Sequence, residues 1–366
     1  MFCDIIAKLG SLFFLVVFKS RAKFRSIIMK KRDLKFERMQ ALEASYYVHE
    51  ANELGIDSRI IMDNVVQVKK DKIVHNFWRC GTDLDGMATL HIAGDKVHCL
   101  SVLKQAGTEV PKFKVLKRGD CKSAIEFMKQ CNGSIVIKPA RDTGDGAGVF
   151  IKPENKDSIF FAVNYAGIFG KEIIVEEYFS GTNYRLLYCK GKFLGASARL
   201  AARVVGDGRT SIEKLIELEN RRRRRAGDIV PYGFVKRPLL YEIMITRKLK
   251  KVLERQGLKL TSIAEAGKRI LLQDVCHWFD GGEYVDVTDE ISPEFVEIGR
   301  RAVEALGIKL AGVDMIALDT KRAEKDNYVI NEVNTTPALL IHYEVQNQER
   351  MRPVARDILR IMFGME

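Results

Sequence analysis

Two apolar stretches near the C-terminal end, Ala311-Gly312-Val313-Asp314-Met315-Ile316 and Tyr328-Val329-Ile330-Asn331-Glu332-Val333-Asn334, each carry an acid where apolar neighbours would otherwise claim the face. About one hairpin separates them. Strand side chains alternate between two faces, so Glu332 and Asn334 share a side, and pairing of the two strands sets Asp314 on the same surface. Three hard oxygen donors with no His or Cys beside them suit Mg²⁺, which takes one or two carboxylates and leaves the rest of its shell to water and substrate phosphates. A nucleotide site is the first expectation. Either acid alone reads more simply as a strand acid paired with Lys or Arg, so the upstream pattern has to decide.

The chain has 366 residues, 46% of them apolar, enough for two or three units with buried cores. Its seven Cys residues form no CxxC pair and no zinc-type spacing, which argues against a disulfide framework and points to a reducing compartment, best the cytoplasm. A net charge of +12 suits acidic ligands or an anionic surface. No reader motif or aromatic-interleaved basic strand accompanies the charge, so nucleic acid is not an expected partner. The run Arg221 to Arg225 falls at the far end of a helix capped by Thr210 or Ser211, where cations complement the dipole, and reads as a solvated face. Residues 5–18 are the most apolar stretch, but Lys8 interrupts it and Leu12 to Phe18 falls far short of the roughly 20 residues needed to span a bilayer. Three readings stay open there: a surface anchor with Lys19, Arg21, Lys23 and Arg25 at the headgroups, peripheral contact then running through residues 1–28; a true start at Met29; or an ordinary packed helix.

Helix 36–54, closed by Gly55, and strands at 58–62, 64–68 and 73–77 form a small lead-in unit. His91 to Lys96 opens a helix running to about Gln105. Ser134 to Pro139 is a buried-type strand ending in Lys138-Pro139, followed by a loop with Gly144, Gly146 and Gly148 at alternate positions. Such a loop can present N–H groups to phosphate oxygens, or be a glycine-rich hairpin tip. It matches neither the Walker A pattern nor GxGxxG. Further strands are read at 172–179, 184–188, 193–199 and 268–272, and helices at 239–256 and 347–363. Arg185 and Arg199 interrupt β-prone runs, as a surface face or as anion ligands.

The order of these parts resembles the ATP-grasp superfamily of ligases: a Lys at a helix start, a Lys-Pro strand before a glycine loop, a Val-Glu-Glu strand, an Asp strand and a Glu-x-Asn strand. The runs 176–187 and 204–212, Gly281-Gly282 before Val285 to Asp289, and Glu332-Val333-Asn334 ahead of His342 are similar to the ATP-grasp module of cyanophycin synthetases and bifunctional glutathione synthetases. The resemblance implies an α/β (α+β) ATP-grasp fold, with an N-terminal segment at 1–35, a lead-in domain at 36–95 and an ATP-grasp domain at 96–366 whose lid spans about 112–180. It also implies that Lys96, Lys138, Gly144, Gly146 and Gly148 hold the ATP phosphates and that Glu176 meets adenine. Glu177 and Phe179 would form the hinge, and Asn183 would face ribose. Asp314, Glu332 and Asn334 would bind Mg²⁺, or Mn²⁺ in its place, while Arg185 and Arg199 act at the transferring phosphate and acyl substrate. The implied function is an ATP-dependent carboxylate–amine ligase acting through an acyl phosphate on a small-molecule or peptide acid and an amine, in a homo-oligomer. The alternatives are an ATP-grasp phosphotransferase or a non-catalytic nucleotide-binding regulator. Asn183 stands where an acid is usual, Gln273 where a basic residue is, and Ala338 where Gly is. Those departures lie near the substrate side, so the substrate is expected to differ.

Overall fold

The computed structural model describes residues 43–62, 64–141, 143, 147–229, 237–274, 276 and 278–365. The apolar and basic N-terminal stretches, Gly144, Gly146 and His277 lie outside the described residues. Among those described, no helix is long and apolar enough to cross a membrane.

Helix α1 (43–53) ends at Gly55, whose φ of +67° lets the chain turn without a Cβ penalty. It leads into an antiparallel sheet of β1 (Asp57–Met62), β2 (Val65–Lys70), β3 (Ile73–Trp78) and β4 (Gly81–Thr82). Two helices follow, α2 (Met87–Gly94) and α3 (Lys96–Gln105), where one was expected. Asp95 separates them because its extended backbone breaks the helix while its carboxylate accepts from the Val97 and His98 N–H groups, capping α3.

A second sheet, order β5-β8-β6-β7, is built from β5 (Phe113–Lys117), β6 (Ile135–Pro139), β7 (Phe150–Ile151) and β8 (Glu172–Glu177). Helices α4 (Cys121–Gln130) and α5 (Lys156–Ala166) cover it. Its core holds Phe127, Ile135, Ile137, Ile159, Val163 and Val175, separate from the others.

The third sheet starts with β9 (Thr182–Cys189) and β10 (Lys192–Leu200). The chain then makes an excursion through β11 (Arg203–Val205), α6 (Ile212–Arg225), β12 (Asp228–Ile229), β13 (Arg237–Pro238), α7 (Arg247–Arg255) and β14 (Arg269–Leu271). It returns as β15 (Glu283–Asp286), α8 (Pro293–Ala305), β16 (Leu310–Ala317) and β17 (Tyr328–Asn334), and closes with α9 (Leu340–Tyr343) and α10 (Val354–Met362). Strand order is β15-β10-β9-β16-β17, and the pairs in all three sheets are antiparallel. This is the α+β form of the expected class.

The period of two divides the third sheet. Leu186, Tyr188, Ala196 and Val313 face α8, where they bury Phe295 and Val303. Gly299 lets α8 lie directly on β9, since a Cβ there would stand 2.2 Å from the Tyr188 hydroxyl oxygen. Leu187, Cys189 and Leu310 face the other way, toward α1, α9 and α10. Along that second face the apolar residues give way at one end to Arg185, Arg199 and Asp314.

Two expected helices are shorter than their spacing suggests. Residues 239–246 are not helical: Leu239, Leu240 and Ile243 are buried in irregular backbone, and Thr246 caps α7 by accepting from Leu249 N. In the closing segment Pro353 confines α10 to the residues after it, behind a short 3-10 turn at Gln348–Arg350.

The arginine run also departs from a solvated face. Arg223 is 1% exposed, and donates to Glu219, to the Tyr241 carbonyl and, at 2.5 Å, to the buried Glu283 of β15. Arg222 reaches Glu283 as well, at 3.0 Å. Replacing Arg223 by Ala leaves Glu283 with weaker compensation and is expected to destabilise the protein by about 3–5 kcal/mol in urea unfolding, whereas Arg221→Ala and Arg225→Ala stay within about 0.5 kcal/mol. Equal effects at all three positions would mean that the run is a surface feature after all.

Candidate active site

Strand register assembles the site. β16 sets Asp314 directly opposite Arg185 of β9 on one side and opposite Glu332 of β17 on the other, with Gly312 opposite Asn334. β10 places Ser197 beside Arg185 and Arg199 beside Asn183. Asp314, Glu332, Asn334, Arg185 and Arg199 therefore share one face.

Asp314 is 5% exposed. Arg185 donates to it from both Nε and Nη2, the latter at 2.9 Å, and Arg199 donates from Nη1 at 3.0 Å. Burial would raise the Asp314 pKa, but Arg185 and then Arg199 outweigh it and hold the carboxyl below its ordinary 3.8. The same pairing holds the Arg199 guanidinium charged against its own burial. The two arginines differ: Arg185 is 8% exposed and engaged through two nitrogens, Arg199 is 25% exposed and engaged through one. Arg185, expected at the transferring phosphate, is thus committed to Asp314, and Arg199 is the more available of the pair. Behind them His342 is fully buried, with neither ring nitrogen hydrogen-bonded among the described residues. Burial, aided by the Arg185 charge, pushes its pKa down to about 3, so it stays neutral.

The face opens on a cleft of about 1530 Å³ lined by Arg185, Arg199, Glu332 and Asn334 and, from other elements, by Lys96 and Lys152. Lys96, the first residue of α3, donates to the Thr143 carbonyl at 2.9 Å. Arg141 pairs with Asp95 and Glu172, so the start of α3 is tied to both Arg141 and Thr143 after β6. At the end of that loop Gly148 has φ +72°, and a Cβ there would meet Pro139 at 2.6 Å. Glycine is required at that position for space as well as for backbone conformation.

Lys138 and Glu176 are buried together, 2.8 Å apart. Burial works against the Lys138 charge, but Glu176 and Glu332 outweigh it and raise the pKa. Burial also raises the Glu176 carboxyl, which Lys138 only partly offsets. Glu176 Oε1 is buried without a hydrogen-bond partner among the described residues. Glu177 points outward to Lys112 at 3.3 Å, Phe179 is half-buried just beyond β8, and Asn183 sits opposite Ile316 and Arg199 at the start of β9. Neither Lys138, Glu176, Glu177, Phe179 nor Asn183 lines the cleft as the structure stands.

No family model matches the chain. It is 33% identical to the cyanophycin synthetase of Trichormus variabilis over 287 residues, covering 78% of this chain and 31% of that protein. It is 30% identical to the glutathione biosynthesis bifunctional protein of Desulfotalea psychrophila over 265 residues, 71% of this chain and 33% of that one. The crystal structure of a bifunctional glutathione synthetase from Pasteurella multocida superposes with a TM-score of 0.61 at 24% identity, over 90% of this chain and 44% of that one. The chain has the ATP-grasp fold. It spans about a third of the length of the curated relatives it matches.

Within the ATP-grasp frame the donor set fits a hard cation in part. Glu332 and Asn334 face the cleft, and one or two carboxylates with substrate phosphates suffice for Mg²⁺. Asp314 already accepts three N–H bonds from the arginines, out of roughly four acceptor positions on a carboxylate. It is open to a cation only alongside, or in exchange for, one of them. Lys152 was not singled out in the sequence; its ammonium lies 4.0 Å from the Tyr178 ring centroid and also lines the cleft. Its signal was weak, a single Lys after the short strand β7.

Asp314→Asn should lower stability by about 3–5 kcal/mol near neutral pH, since it leaves two guanidiniums without their buried counter-charge. The folded state depresses this carboxyl's pKa, so its contribution is complete above the unfolded value of 3.8 and is lost as pH falls through the folded value. Urea unfolding of wild type and variant should therefore converge in acid. A gap that stays constant as the pH is lowered to about 2 would contradict the pairing.

Proposed function

We propose that this chain is an ATP-dependent carboxylate–amine ligase that forms a peptide or other amide bond and releases ADP and phosphate. The observation that carries the proposal is the single cleft in which Glu332, Asn334 and Arg199 stand on one sheet face beside Lys96. Similarity to ligase relatives supports it. Glu176 Oε1 supports an adenine end: among the described residues it is a buried acceptor lacking a donor, and the adenine amino group is a donor.

In this reading a carboxylate oxygen of the acid attacks the γ-phosphorus, the bridging P–O bond to the β-phosphate breaks, and ADP leaves. The amine nitrogen then attacks the acyl carbon, the C–O bond to phosphate breaks, and the nitrogen gives up its proton as phosphate departs. Lys96 counters the phosphate charge from α3 at the cleft wall, and Lys138, paired with Glu176 off the cleft, would have to turn toward it to add a second cation from β6. Arg199, held by one nitrogen, is the cation able to follow negative charge onto the transferred group, which is where catalysis of this kind gains most. Arg185 keeps Asp314 ionised and in place. Mg²⁺ or Mn²⁺, when bound by Glu332 and Asn334 with Asp314 beside them, supplies further charge stabilisation to the phosphoryl oxygens.

The products should be ADP and phosphate, with phosphate release dependent on an acid and accelerated by the matching amine, in a coupled assay over a panel of amino acids and peptides. A phosphorylated product that persists after amine addition would mark a kinase, and AMP with pyrophosphate would exclude this chemistry. Arg199→Met should cut turnover by about 10²- to 10³-fold, the range seen on removing one preorganised donor, with ATP affinity nearly unchanged. Loss of ATP affinity with turnover intact at saturation would move Arg199 into the nucleotide clamp.

A further inference from the structure

Helix α7 presents two lysines to the cleft that the reaction as described does not use. Leu249, Val252 and Leu253 are buried on its apolar side, and Leu249 and Leu253 join the core shared with α6, β11 and β14. Lys248 and Lys251, three residues apart, project together from another side, and both line the same cleft as Arg199 and Glu332. Farther along, Arg255 is paired with Asp274 at 2.5 Å, and Glu254 is the one acid of α7 at the cleft wall. Among the described residues the Lys248 and Lys251 side chains have no ion pair and no hydrogen bond. Both are exposed, so their charge is available to a ligand.

Size points the same way. A pocket for one small ligand measures roughly 300–1,000 Å³. This cleft, at about 1530 Å³, has room for a nucleotide and for more than a single small acid. The cations assigned to the nucleotide come from α3, β6 and β10, whereas Lys248 and Lys251 come from the excursion that interrupts the third sheet.

Resting on the ligase reading above, we infer that the acid substrate is an acidic peptide, whose carboxylates beyond the reacting one lie along Lys248 and Lys251 of α7. The two lysines select for a chain of carboxylates over a free amino acid, and they act on binding and not on the chemical step.

Fluorescence anisotropy with a labelled hexaglutamate peptide, on the full chain with saturating Mg-AMPPNP, tests this. Hexaglutamate should bind more tightly than free glutamate competes, and added salt should weaken it. The double variant Lys248→Gln/Lys251→Gln should lose about tenfold in peptide affinity, the scale of two solvent-accessible charge contacts, while its calorimetric affinity for Mg-AMPPNP stays within about twofold. Lys250→Gln, exposed on the same helix but off the cleft, should change neither. An unchanged peptide affinity in the double variant, an equal loss in Lys250→Gln, or peptide binding no tighter than glutamate overturns the inference. A loss of Mg-AMPPNP affinity in the double variant also overturns it and assigns the lysines to the phosphates. Failure of the wild-type chain to bind Mg-AMPPNP at all would instead overturn the ligase reading beneath it.

Discussion

The Asp314 carboxylate, buried and held by two guanidiniums, is the constraint on which the site depends. An isolated charge at 5% exposure would be prohibitively costly. It persists because β9 and β10 bring Arg185 and Arg199 to the same face, and because β16 carries no side chain at Gly312. A Cβ there would stand 2.6 Å from Arg185 Cδ and 2.9 Å from Pro337. One missing side chain thus gives Arg185 its path to Asp314, and the strand register then delivers Glu332 and Asn334 to the cleft beside them.

The same device recurs at the edge of the third sheet. Glu283, buried on β15, accepts from Arg222 and Arg223 of α6. That pair ties the β11–β14 excursion to the sheet, and α7, with Lys248 and Lys251 at the cleft, belongs to the excursion. In both places a carboxylate of one element fixes the position of arginines from another, and removing either charge exposes the other to the cost of burial without a partner.

Much of this was legible in the sequence, for reasons that differ by element. The alternation around Asp314 and Glu332 reports a strand face directly, since one residue of slip would turn the acids into the opposite core. The Lys-Pro end of β6 and the positive-φ Gly148 were legible because backbone demands leave a residue signature. The partner of Asp314 was not legible: Arg185 lies 129 positions away, and only register across β9 and β16 shows that it pairs with the acid instead of reaching for phosphate. Burial of Arg223 within a run of five arginines was hidden for a similar reason, because its partner Glu283 is distant in sequence. Helix α7 is shorter than the sequence suggests because Leu239, Leu240 and Ile243 have the apolar content of a helix, while tertiary burial holds them in irregular backbone.

The account turns on an unequal division of labour between the arginines, Arg185 fixed to Asp314 and Arg199 free to leave it. A crystal structure of the chain with Mg-AMPPNP measures this most directly. The account predicts that Arg185 keeps both nitrogens on Asp314 while Arg199 moves from Asp314 to the terminal phosphate. Arg185 on the phosphate, or Arg199 still bound to Asp314 with the phosphate unattended, would contradict it.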